Sequence, residues 1–170
     1  MTLKDFCKRL NCKVFALGNR AMEDFMEVTI FNETKIQALK GYFNKRDDIA
    51  FSFLFGSAAK GRVRKEGDVD IAVYFRPEKD IEWEVFGKIY EGESRIGLDV
   101  ERLLKKEVDL IVLNRARAVL ADEIIRRGKP IIIKDKGMFM DFLCIISDEA
   151  EYVREWIVSS YKEKRFASNR

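Results

Sequence analysis

The chain of 170 residues contains no histidine. That absence excludes Ser–His and Cys–His nucleophilic machinery, histidine acid–base catalysis and the common histidine-ligated zinc sites. Any chemistry must come from carboxylates, lysine, tyrosine or a bound metal. Cysteine is scarce. Cys7, Cys12 and Cys144 are an odd count at spacings that fit neither a disulfide framework nor a zinc site, and they read as small buried thiols. No apolar run approaches the roughly 20 residues that cross a bilayer, and the N-terminus lacks the apolar centre of a signal peptide. These absences predict a cytoplasmic protein with no membrane partner. An excess of one charge is also missing. Thirty-two basic residues nearly balance 29 acidic ones, and a net charge of +3 does not by itself imply contact with nucleic acid.

What is present describes one well-buried domain, since 47% apolar and 36% charged residues are the mix of a folded globular chain. Residues 1–30 show only weak helical spacing and read as an N-terminal extension to a domain over 31–170. From Asn32, a candidate N-cap, Ile36, Leu39 and Phe43 form one apolar stripe of a helix that ends near 44–48. Ile49–Phe55 and Asp68–Phe75 read as buried strands, the second stopped by Pro77. Ile81–Lys106 has a helical pattern interrupted at Gly92 and Gly97. Val108–Leu113 is a third strand. Asn114 reads as the N-cap of a helix over 115–127, with Gly128 as its C′ residue and Pro130 just beyond. Ile131–Ile133 makes a fourth strand, and a long helix over about 138–164 closes the chain. Core packing is its default role. The order predicts an α/β (α+β) fold: a small mixed β-sheet with helices gathered on one face.

The chemistry concentrates in Phe51-Ser-Phe-Leu-Phe-Gly-Ser57 and Asp68-Val-Asp70. Gly56-Ser57 ends a strand where backbone N–H groups can cradle phosphate. Asp68 and Asp70, two residues apart on an extended segment, point to one side of the sheet, while Val69, Ile71 and Val73 point to the other. Two carboxylates on one face destabilise each other unless a cation is present, and their hard oxygens suit Mg²⁺ alongside substrate phosphates. Asp109 interrupts the third strand and faces the same groove. Three convergent carboxylates can hold two metals roughly 3.5–4 Å apart. The basic loop of Lys60, Arg62, Arg64 and Lys65 offers charge that can steer a triphosphate, with Lys60 and Arg62 the better placed.

Gly56-Ser57, ten intervening residues and Asp68-Val-Asp70 resemble the signature of the polymerase-beta-type nucleotidyltransferase superfamily. Gly56-Ser-Ala-Ala-Lys-Gly61 and Val108-Asp-Leu-Ile-Val-Leu-Asn114 are most similar to its minimal (MNT-domain) members, including MntA-type antitoxins. The resemblance covers about residues 33–135. It implies the polymerase-beta catalytic-core fold, two Mg²⁺ ions and transfer of a nucleoside monophosphate from a nucleoside triphosphate, ATP by preference. It implies further that Asp68 and Asp70 bind metal, that Asp109 completes the site as ligand and base, and that Gly56 and Ser57 hold the triphosphate. Gly67 stands where the family often has serine, and Lys60 where it often has arginine. The resemblance points to an antitoxin that adenylylates a tyrosine of a HEPN-type toxin. Two alternatives are an antitoxin acting by binding alone and a small-molecule nucleotidyltransferase of the aminoglycoside type.

Overall fold

A computed structural model describes residues 33–60 and 67–167. The expectations for residues 1–30, for the Asn32 cap and for Arg62, Arg64 and Lys65 lie outside them. The elements are α1 (Glu33–Asn44), β1 (Ile49–Leu54), the single turn α2 (Gly56–Ala59), β2 (Val69–Phe75), α3 (Glu93–Leu104), β3 (Val108–Val112), α4 (Ala118–Arg127), β4 (Lys129–Ile133) and α5 (Lys136–Ala167). Among the described residues no helix is long and apolar enough to cross a membrane.

The four strands lie in the order β3-β2-β1-β4. β1 is antiparallel to both β2 and β4, whereas β2 and β3 are parallel and are joined by the crossover through α3. The mixed sheet is therefore as expected, but its helices divide between two faces instead of gathering on one. Val69, Ile71, Val73 and Phe75 pack against Leu39 and Phe43 of α1 and Ile96, Val100 and Leu104 of α3. On the opposite face, Phe51, Phe53, Ala72 and Tyr74 pack against Ala118, Ala121 and Ile124 of α4 and Phe142, Ile146 and Ala150 of α5. The reason is in the two central strands: Ile49–Leu54 is buried along its whole length and β2 nearly so. A strand apolar on both faces needs cover on both.

Two further expectations are corrected by bonds between distant residues. Only residues 93–104 of the 81–106 segment are helical. Upstream, the Tyr74 hydroxyl donates to the Glu82 carbonyl and accepts from the Glu82 N–H, both at 3.0 Å. Burial pushes the Tyr74 phenol up to about 12. The Val85 N–H donates to the Asn114 carbonyl, and Glu84 and Gly87 have positive φ. Ile81 and Trp83 meet the α4/α5 core, and Tyr90 joins the α1/α3 core. The segment wraps the sheet because its backbone groups and side chains find better partners there than in a helix.

Asn114 is not a helix cap. It is fully buried, its side chain accepting from the Phe75 N–H at 2.8 Å and donating to the Phe75 carbonyl at 2.9 Å. α4 begins four residues later, and the Glu84 carboxylate accepts from its Ala118 N–H at 2.7 Å. Replacing Asn114 with leucine, close in size, leaves both Phe75 groups buried and unpaired. A stability loss of about 3 kcal/mol is expected in urea or thermal unfolding. A loss below about 1 kcal/mol would mean that water reaches Phe75.

Gly128 follows α4 at φ −76, not in the left-handed conformation of a helix-ending glycine. It is needed for space: a Cβ there would lie 2.4 Å from the Ile124 carbonyl and 2.9 Å from that of Leu54. This close approach lets β4 begin beside the end of β1, where Leu54 pairs with Lys129.

α5 has 32 residues. Its first half is buried through Phe142, Ile146 and Ala150, and Phe142 lies 4.6 Å from the Tyr74 ring. Cys144, expected in the core, is exposed. α4 and α5 are tied by Asp122, whose fully buried carboxylate accepts from Arg126 at 2.6 Å, Arg154 at 2.5 Å and the Ser147 hydroxyl at 3.3 Å. Two guanidinium partners offset the desolvation of that charge.

Candidate active site

The candidate residues meet where β1 ends and β2 and β3 begin. β1 stops at Leu54, and the Phe55 N–H donates to the Asp70 carbonyl at 3.0 Å, so the turn that follows lies against Asp70. Gly56 has φ +63, and a Cβ built on it would sit 2.0 Å from Oδ2 and 2.7 Å from Cγ of Asp70. Both facts require glycine. The missing side chain lets the backbone pass directly over the carboxylate, and the next amide, Ser57 N–H, hydrogen-bonds it.

Asp70 and Asp109 are register partners on the parallel pair β2–β3. Their side chains share the sheet face of Ala72, Tyr74 and Ile111, the face covered by α4 and α5. Asp68 lies just before β2 rather than within it, exposed to solvent like Asp109. Burial first, and then the charges of Asp109 and Asp68, hold the Asp70 carboxyl above its usual range against the opposing Ser57 amide. Among the described residues, no three Asp, Glu or Cys side chains converge closely enough to hold a metal ion. The register brings Asp70 and Asp109 side by side, with Asp68 at their margin.

Gly56 and Ser57 are exposed at the start of α2, and Lys60 is exposed at its end. One neighbour was not legible beforehand. The Lys106 ammonium donates to the Gly67 carbonyl at 3.2 Å and ties the approach to Asp68 to the turn that leads into β3. Only its place in a Lys-Lys pair two residues before a strand could have marked it.

The donor chemistry suits a divalent cation. Carboxylate oxygens are hard ligands, and a cation would offset both the burial that chiefly raises Asp70 and the repulsion from Asp109 and Asp68 that adds to it.

The same framework occurs in solved structures. A chain of a toxin–antitoxin structure solved with AMP-PNP superposes with a TM-score of 0.56 at 22% identity, covering 77% of this chain and 98% of that one. A structure of a tri-AMPylated Shewanella oneidensis HEPN toxin in complex with an MNT antitoxin matches at TM-score 0.51 and 18% identity, over 75% of this chain and 98% of its own. A MntA–HepT toxin–antitoxin structure matches at 0.50 and 18%, over 74% and 98%. No curated protein sequence matches significantly. The sequence pattern of the polymerase beta, nucleotidyltransferase family matches residues 37–137. That stretch holds the glycine–serine turn, Asp68 and Asp70 at the start of β2 and Asp109 on β3, and it places this chain in the polymerase beta nucleotidyltransferase family.

Proposed function

We propose that the chain transfers AMP from ATP to a hydroxyl group of a protein, a tyrosine of a HEPN-type toxin, and so acts as an antitoxin. The observation that carries this reading is the register of Asp70 with Asp109 beside the Gly56-Ser57 turn. Support for the acceptor comes from the AMPylated toxin in the similar complex.

In this reading Asp68 and Asp70 would hold two Mg²⁺ ions, with Asp109, the register partner of Asp70, completing the site once cation charge draws the three carboxylates together. Bound Mg²⁺ would neutralise the triphosphate and polarise the α-phosphate. The residues of the chain do the rest. The bare backbone at Gly56 and the Ser57 hydroxyl orient the triphosphate, with Lys60 and Arg62 adding positive charge. Asp109, exposed beside Asp70, accepts the proton of the attacking hydroxyl. A bond forms between the acceptor oxygen and the α-phosphorus, the α–β bridging bond breaks, and pyrophosphate leaves.

The test is incubation of the chain with α-labelled ATP, Mg²⁺ and a HEPN-type toxin from the same source. Label is expected on the partner and should disappear when Mg²⁺ is chelated. A partner that is neutralised yet stays unlabelled would overturn transfer in favour of an antitoxin that acts by binding.

A further inference from the structure

We propose that the exposed second half of α5 is the docking surface that delivers the protein acceptor to the active site. The inference rests on the reading of the site as a protein-modifying transferase and adds where the acceptor is held. Past Ala150 the helix leaves the core, yet one side of it stays aromatic and apolar. Tyr152, Trp156, Ile157 and Tyr161 are exposed, with Trp156 at 63% and Tyr161 at 71%. Trp156, Ile157, Ser160 and Tyr161 line one recess on the helix. A contiguous aromatic patch of this kind marks an interaction site, and tryptophan and tyrosine are the residues that most often anchor one.

Its position says what it binds. α5 starts at the end of the sheet remote from the site, where the Lys134 N–H donates to the Ala50 carbonyl and Asp135 pairs with Arg76. α4 runs from that remote end to Gly128, which lies against Leu54 and Phe55 at the active-site end. α5 packs along α4, with Ser147 and Arg154 at Asp122, so it too runs towards the active site. The 17 residues after Ala150 then extend about 25 Å at 1.5 Å per residue. They continue beyond the α4/α5 face of the sheet, the face that carries Asp70 and Asp109. A protein seated on Trp156 and Tyr161 is therefore held at the active-site end of the sheet, beyond the face that carries the carboxylates.

The fitting partner presents an apolar groove that takes Trp156 and Tyr161, with the target hydroxyl within reach of the carboxylates.

The experiment compares wild type, the double variant Trp156→Ser/Tyr161→Ser, and Phe86→Ser. Phe86 is an equally exposed aromatic residue, at 65%, on the segment that follows the remote end of β2. With the HEPN-type protein as acceptor, the double variant should raise the acceptor KM at least about tenfold. It should leave kcat at saturating acceptor and the KM for ATP unchanged, and Phe86→Ser should behave as wild type. An unchanged acceptor KM in the double variant overturns the proposal, as does an equal rise in Phe86→Ser. A wild-type dimer that the double variant dissociates without changing that KM would assign the patch to a second copy of the chain. If wild type transfers no label, the functional reading fails while docking stays testable. Calorimetric titration of the same two proteins without ATP should show at least tenfold weaker binding by the double variant, and equal binding would refute the surface.

Discussion

Asp70→Asn is expected to lower AMP transfer by about 10³-fold or more while raising the melting temperature at neutral pH. The two effects have one cause. Asp70 is the carboxylate that burial, Asp109 and Asp68 hold above the usual range. A carboxyl whose folded-state value is raised weakens the fold wherever it is ionised, so the cost is present at neutral pH and fades as pH falls through the carboxylate range. Asparagine keeps the shape and removes the charge. The variant should therefore melt above wild type at pH 7.5, with the difference closing on acidification. It also removes a hard anionic oxygen from the place where catalysis needs one. Added Mg²⁺ should stabilise wild type and leave the variant unmoved. A variant that keeps its transfer rate, or melts lower at neutral pH, would show that Asp70 is a structural residue.

Gly56→Ala should be the most damaging change that alters no functional group. The methyl would have to occupy space 2.0 Å from the Asp70 Oδ2, in a backbone conformation at φ +63. Alanine in that conformation costs roughly 1–2 kcal/mol, and relief of the clash must move Asp70 or the turn. A displacement of about 1 Å at a reacting centre can cost 10²-fold in rate, so a drop of that size is expected. Gly41→Ala is the control, because a Cβ there meets nothing within 4 Å and the site lies inside α1. It should be stabilising by about 0.5–1 kcal/mol and leave transfer intact. Equal behaviour of the two variants would refute the steric account.

The strands and the carboxylates were legible because their signals are local. An apolar run closed by Gly56-Ser57, an acid pair two residues apart and a third acid within an apolar strand need no knowledge of distant partners. The differences at Asn114, at residues 81–92 and in the placing of the helices come from long-range contacts. Asn114 looks like a cap because it precedes an amphipathic stretch, but its amide is used 39 residues away on Phe75. Residues 81–92 alternate like a helix, but Tyr74 and Asn114 take their backbone groups. The division of helices between two faces was implicit in Phe51, Phe53, Ala72 and Tyr74, which lie opposite Val69, Ile71 and Val73. A run apolar on every residue says that both faces are covered, though not which helix covers which. In the sequence Gly56 signals only a phosphate turn; its second duty, making room for Asp70, depends on β1 and β2 lying side by side.

β3 is an edge strand, and Asp109 stands exposed on it. The residue proposed to take the proton thus contributes little to what holds the domain together, unlike Asp70 on the interior strand. Mutation can remove it without unfolding the chain, so a descendant could lose transfer and still keep its shape and its partner. On the proposed roles, a single substitution at Asp109 would separate an enzyme from a pure binder at little cost to the fold.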